Sequence, residues 1–138
     1  MKNEYPIAAI SYGDDLFAIE NYKTYPEDVK IGNPYNTSFS VRVLSDGFGG
    51  TSLFECDIKE FFRFVKEAEE ISVFKRAETT FCDKSYGSFF GFSSDKTGHV
   101  SVFGEIYGER AEQKLCFRFS ADVTCLLPFT KTLGTYIE

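Results

Sequence analysis

The sequence predicts an α+β fold: a single domain, mainly antiparallel β-sheet, with two helices, at about residues 57–71 and 128–137. Three observations predict it. Short stretches of alternating apolar and polar residues recur along the chain, separated by glycine-containing turns. Two segments switch instead to helical spacing. Finally, the 138 residues suit one domain, and sixteen Phe and eight Tyr supply a core without tryptophan. At about 2 kcal/mol per large buried side chain, so many aromatics offset much of the entropy lost on ordering the chain.

Residues 7–12 and 16–22 read as two strands around Gly13-Asp14-Asp15. A polar loop over 23–38 carries Pro26, Gly32 and Pro34. Residues 39–44 alternate, as do 51–56, so both read as strands. Between them stands Asp46-Gly47-Phe48-Gly49-Gly50. A phosphate cradle needs glycines that run directly into a helix N-terminus, with a Lys-Ser/Thr pair or a G-x-G-x-x-G spacing. Here the glycines run into a strand and the loop holds no lysine, so the segment is a turn.

Asp57 opens the first helix as its cap, and Glu60 three residues on completes a capping-box pattern. Ile58, Phe61, Phe62, Val65 and Ala68 share one face, with Phe64 and Ile71 at its edge. Lys59, Glu60, Arg63, Lys66, Glu67 and Glu70 occupy the other. Strands follow at 73–82, 88–93, 99–107 and 114–119, with Asp95-Lys96-Thr97-Gly98 as a hairpin turn. Proline deep inside a helix costs about 3 kcal/mol, whereas the first turn accepts it. A capped turn at Asp122-Val123-Thr124 should therefore precede a helix that begins near Pro128. No internal repeat, low-complexity tract or linker divides the chain.

Net charge is −6 with no cluster of Lys or Arg, which argues against direct binding of DNA or RNA, since that binding works through counterion release by basic patches. An acidic surface favours a basic partner or simply serves solubility. The N-terminal residues lack the apolar segment of a signal peptide, and no run reaches the 18 or so apolar residues of a membrane helix, so a cytoplasmic location is expected. Cys56, Cys82, Cys116 and Cys125 form no C-x-x-C pair and lie in apolar surroundings, which predicts buried free thiols.

The search for chemistry finds no catalytic, cofactor or metal site. His99 is the single histidine, and no pattern gives it an acid or a nucleophile. The cysteine spacings lack the short paired ligands of structural zinc. Ser93-Ser94-Asp95-Lys96 matches S-x-x-K in letters only, because it runs into a hairpin rather than opening a helix. Asp14-Asp15 and Glu27-Asp28 lack the alternating oxygen ligands of a calcium loop. Glu105 and Glu109, four apart across a strand and a turn, have no fixed separation for glycosidic chemistry.

The order of elements carries a resemblance. Its first half is the strand 39–44, the turn Asp46-Gly47-Phe48-Gly49-Gly50 and the helix start Asp57-Ile58-Lys59-Glu60-Phe61. Its second half is Gly98-His99-Val100-Ser101-Val102, Leu115-Cys116-Phe117-Arg118-Phe119 and Ala121-Asp122-Val123-Thr124-Cys125-Leu126. Over about residues 38–137 the chain resembles the WapI-type immunity proteins, antitoxins of polymorphic bacterial toxin systems. That resemblance implies a cytoplasmic protein without cofactor or reaction, which binds and neutralises a cognate toxin domain, often a nuclease. The residues themselves add that nucleases grip phosphates and tend to be basic, so an acidic inhibitor would be steered to them.

On this reading the partner-binding carboxylates are Glu60, Glu67 and Glu70 on the outer helix face, with Asp14, Asp15, Glu27 and Asp28 in loops as second candidates. Two other classes stay open. A small ligand-binding or regulatory domain would show an apolar cavity lined by the Phe-rich strands. An enzyme would bring His99 against a carboxylate or against Cys82 across the sheet.

Overall fold

A computed structural model describes residues 6–95, 97–110 and 112–137. Two four-stranded antiparallel sheets make up most of it. The first is a meander of β1 (Pro6–Tyr12), β2 (Asp15–Thr24), β3 (Thr37–Ser45) and β4 (Phe48–Cys56), in that spatial order. The second is a meander of β5 (Glu78–Cys82), β6 (Phe89–Ser94), β7 (His99–Tyr107) and β8 (Lys114–Asp122). Three helices accompany them: α1 (Pro26–Lys30), α2 (Ile58–Ser72) and, after a 3-10 turn at Val123–Cys125, α3 (Leu126–Gly134). The fold is α+β and mostly β. No helix among the described residues is long and apolar enough to cross a membrane.

Both halves follow one course: four meandering strands, then an aspartate that caps a helical segment. Phe54-Glu55-Cys56-Asp57-Ile58 occupies the junction in the first half, and Phe119-Ser120-Ala121-Asp122-Val123 in the second. The Lys59 N–H donates to Asp57 Oδ1 at 2.9 Å, and the Thr124 N–H donates to Asp122 Oδ1 at 3.0 Å. Each bond satisfies one of the donors a helix start leaves free. This repeated order is a feature of the architecture that the sequence, read for repeats, does not display.

The core is a network of rings. Phe17, Phe39, Phe54, Phe61, Phe64, Phe81, Phe90, Phe92 and Phe129 are fully or almost fully buried. Phe17 of the first sheet meets Phe90 of the second with centroids 4.9 Å apart, and Phe54 meets Phe90 at 5.4 Å. From α2, Phe64 stands edge-on to Phe90 at 5.2 Å, while Phe129 of α3 lies 5.7 Å from Phe92. Tilted and edge-to-face pairs of this kind add about 0.5–1.5 kcal/mol each beyond the area they bury.

Several local expectations are corrected. The polar loop 23–38 contains α1, opened by Pro26 with Glu27 and Asp28 in its first turn. The turn between β3 and β4 has only two residues, Asp46 (φ 54°) and Gly47 (φ 80°), the doubly positive φ of a type I′ hairpin. Gly49 and Gly50 are strand residues opposite Leu44 and Val43. A Cβ at Gly50 would sit 3.6 Å from Leu115 and 3.7 Å from Ile106, so this is where the second sheet rests on the first.

In α2, Phe64 and Ile71 are central to the buried face, and Phe62 is exposed. The capping box is half formed: Asp57 caps, but the Glu60 carboxylate turns to Lys84. Residues 73–77 do not join β5. The helix closes there, with the Lys75 N–H on Glu70 O (2.8 Å), the Phe74 N–H on Ile71 O (3.0 Å) and Phe74 itself at φ 62°. This is a Schellman closure without its usual glycine. The last helix starts at Leu126, two residues before Pro128, and ends at Gly134 rather than at 137. Pro128 still falls in the first turn, where its missing N–H leaves no bond unmade. Lys96 of the 95–98 turn lies outside the described residues.

Candidate functional site

The three helix carboxylates are held by cations of this same chain. Glu60 receives Lys84 Nζ at 3.3 Å. Glu67 receives Arg63 at 2.7 Å, Arg76 at 3.8 Å and the Thr79 hydroxyl at 2.6 Å, and its side chain is only 19% exposed. Glu70 receives Arg76 at 2.7 Å, and this hydrogen bond holds the exposed Arg76 guanidinium above its ordinary pKa. The outer face of α2 is therefore a lattice of paired charges. A basic partner landing there would have to displace Lys84, Arg63 and Arg76.

The loop acids divide between two places. Asp14 stands in the β1–β2 turn and Asp15 opens β2, where its carboxylate accepts from the Ser45 hydroxyl at 2.9 Å. That bond ties the β1–β2 turn to the β3–β4 turn and brings in Asp46, which the sequence reading left out of the candidate site. Glu27 and Asp28 lie in α1, at the opposite end of the first sheet. So the structure brings together Asp14, Asp15 and Asp46, and it separates them from Glu27, Asp28 and the α2 carboxylates.

Apolar side chains accompany this turn end. Tyr12 is 49% exposed and Phe48 67%, the latter among the most exposed large apolar residues described. Phe48 lines two shallow grooves. One, of about 330 Å³, runs between the start of β4 and the β7–β8 hairpin at Tyr107, Gly108, Gln113 and Lys114. The other, of about 190 Å³, lies between Ser45-Asp46 and Cys116 to Arg118. Glu109, Arg110 and Glu112 sit on the hairpin connection beyond the first groove. Two cations close by are engaged elsewhere: Lys114 approaches Glu105 at 3.6 Å, and Arg118 stacks 4.7 Å over Phe103 while donating to Ser101. The end thus carries an exposed aromatic with Asp46 on one side and Lys114 and Arg118, each engaged elsewhere, on the other.

His99 meets Asp95, with 3.9 Å between Nδ1 and Oδ2, on an open hairpin where both side chains are about half exposed. Asp95 is committed to the turn: it accepts from the side chain and backbone N–H of Thr97 and from the backbone of His99, and these bonds hold its carboxyl below the ordinary range. Asp122, opposite His99 in the ladder, is likewise lowered by the Thr124 bonds of its capping role. Cys82 lies at the other end of this sheet, paired with Phe89, which in turn faces Glu105 six residues along β7 from His99.

All four cysteines are free thiols. Only Cys56 is buried; Cys82 and Cys116 are exposed and Cys125 is intermediate, so the apolar surroundings of the sequence do not translate into burial. Burial first, then the nearby carboxylates Glu60, Asp57 and Asp83, push the Cys56 thiol up to about 12. Among the described residues, the rings of the Phe-rich strands are buried and pack on one another across the two sheets. Among the described residues, no three His, Cys, Asp or Glu side chains are grouped to hold a metal ion. Compared with known proteins, the chain matches no family model and no curated sequence.

Proposed function

We propose that this protein is a non-catalytic binding protein that neutralises a basic partner, as the WapI-type immunity proteins it resembles neutralise a toxin domain. One observation carries the reading: Asp14, Asp15 and Asp46 converge at one end of the first sheet beside exposed Phe48 and Tyr12, free of ion pairs among the described residues. An aromatic anchor inside a charged border is the usual layout of a protein-binding patch. Carboxylates without intramolecular cations present their full field to an approaching basic surface. The α2 carboxylates contribute less, because their charge is already met by Lys84, Arg63 and Arg76.

Co-expression with the toxin domain encoded beside this gene, scored by survival and co-purification, tests the reading. The wild-type chain should rescue growth. The triple variant Asp14→Lys, Asp15→Lys, Asp46→Lys should associate at least tenfold more slowly at low salt and with a flatter salt dependence, since screening acts on long-range steering. Replacing Glu60, Glu67 and Glu70 by Lys should slow association less. An absence of rescue by the wild type would defeat the immunity reading, and equal rates for all three proteins would defeat the choice of surface.

A further inference from the structure

The second sheet ends at β5, an edge strand that is flanked by the helix α2 and by no further strand among the described residues. The β4 edge is met by the β5–β6 connection, where the Glu55 N–H donates to Asp83 (2.8 Å) and the Lys84 N–H to Glu55 O (3.1 Å). The β1 edge packs against α3 and β8, so the edges of β1 and β8 lie together. Opposite β6, no strand among the described residues pairs with β5.

The hydrogen-bond parity of β5 can be worked out. The Ser94 N–H donates to Ala77 O and the Asp83 N–H to Ser88 O, each at 2.8 Å, and both pairs continue the register Glu78↔Ser93 to Cys82↔Phe89. Bonded pairs alternate in an antiparallel ladder. Thr79 and Phe81 therefore bond to β6, while the N–H and C=O groups of Glu78, Thr80 and Cys82 point away from the sheet. Those same three residues are exposed. A groove of about 570 Å³ lies between this edge and α2, lined by Glu60, Arg63 and Glu67 of the helix and by Arg76 of the connection that follows it.

We propose that β5 is a strand-addition site, which takes an extended, basic segment of a partner protein as a fifth strand of the second sheet. Main-chain bonds through Glu78, Thr80 and Cys82 would hold it, over a strand about 17 Å long at roughly 3.3 Å per residue. The groove is already set: the ion pairs from Arg63 and Arg76 and the Thr79 hydroxyl bond fix Glu67 in place. Its lining sets the carboxylates of Glu60, Glu67 and Glu78 against the guanidinium groups of Arg63 and Arg76. Glu78 makes no ion pair among the described residues, so a Lys or Arg on the incoming strand has a partner there. Two copies of this chain, each of net charge −6, repel one another, which favours a basic partner over self-pairing. This goes beyond the proposed function, since it concerns another face and another mode of contact and holds whether or not the partner is a toxin.

The test is selection from a random octapeptide library displayed on phage, followed by affinity measurement with synthetic versions of the selected peptides. Binders should alternate β-branched residues with Lys or Arg. Thr80→Pro removes one outward N–H that β6 does not use, as an edge strand tolerates, and should weaken binding at least tenfold. Thr80→Ala and Asp46→Lys should leave binding unchanged. Methylating alternate amide nitrogens of the peptide should abolish binding in one parity and spare it in the other, a readout that stands even if Thr80→Pro fails to fold. No selectable binder, binders indifferent to Thr80→Pro, or loss in both parities overturns the proposal. Self-association of the wild type that Thr80→Pro abolishes overturns it in favour of a second copy.

Discussion

Gly104 on β7 offers the sharpest probe of how tightly the two halves are packed. It faces the core opposite Phe90 and Phe117. A Cβ added there would press on the Phe89 carbonyl oxygen, lie 2.8 Å from Phe90 Cα and 3.0 Å from the tip of the Phe117 ring. Carbon atoms prefer about 3.5–4.0 Å, so the β6 backbone must retreat by several tenths of an ångström or more. Overpacking costs about 1–3 kcal/mol, and backbone rather than a flexible side chain has to yield here, which puts Gly104→Ala near 2–3 kcal/mol. For a chain of this size each kcal/mol moves Tm by about 3–4 °C, so a fall of about 6–12 °C is expected. Gly50→Ala is the matched control. Its Cβ meets Leu115 and Ile106 at 3.6–3.9 Å, ordinary contact, and the backbone there is not in the left-handed region. Lower unfolded-state entropy should then stabilise that variant by about 0.4–1 kcal/mol. Thermal unfolding followed by circular dichroism at fixed pH and concentration reads both. A Gly104→Ala protein within about 1 °C of wild type, or a larger loss for Gly50→Ala, would refute the packing argument, since the order rests only on these distances.

Three further outcomes are expected. In thiol titration without reductant, Cys82 and Cys116 should react at once, Cys125 more slowly and Cys56 only on unfolding; fewer than four thiols in the denatured chain would contradict the free-cysteine geometry. Because the Cys56 thiol is raised to about 12 in the fold, the unfolded chain releases that proton first. Its contribution to stability is therefore complete below pH 9 and lost between about pH 9 and 12, by up to about 1.4 kcal/mol per pH unit, and Cys56→Ser or Cys56→Ala should remove that alkaline slope in urea titrations. Phe74→Gly should raise stability by about 1 kcal/mol, because glycine adopts the left-handed backbone of the α2 closure freely and little packing is lost from a ring 56% exposed. A lower Tm would show that the Phe74 ring packs more strongly than its exposure indicates.

Much of the strand order was legible because the alternation is clean. β7 and β8 begin where the pattern begins, and the aspartate caps at 57 and 122 were read correctly from residue type and position. Other features were hidden for identifiable reasons. The α2–β5 boundary carries no glycine or proline, so the left-handed Phe74 leaves no signal, and the strand pattern extends back to residue 73, five residues before β5 begins. Helix α1 is too short for periodicity; Pro26 followed by Glu27 and Asp28 is a helix-start pattern that could have found it. Phe62 and Phe64 both fit an apolar arc, and only the position of the second sheet decides between them. The candidate site was the least legible part. Whether Glu67 is free depends on Arg76 and Thr79, and whether Glu60 is free depends on Lys84, all supplied by chain beyond the helix. Asp46 joins Asp15 only through the pairing of β2 with β3.

The twofold repetition of meander and capped helix separates two kinds of specificity along the chain. Every rung of the first sheet is made within residues 6–56 and every rung of the second within 78–122, so no main-chain ladder links the halves. Each sheet is assembled from neighbours in sequence, the inexpensive kind of loop closure. The rings cross the boundary instead: Phe17, Phe39 and Phe54 from one half against Phe81, Phe90 and Phe92 from the other. Opening the chain in the α2–β5 connection would sever no rung and would leave two fragments, each with its pairing scheme intact and an uncovered aromatic face. Such fragments would be complements, recognising one another mainly through the rings, with the Lys84 N–H to Glu55 O bond as the main-chain contact between them.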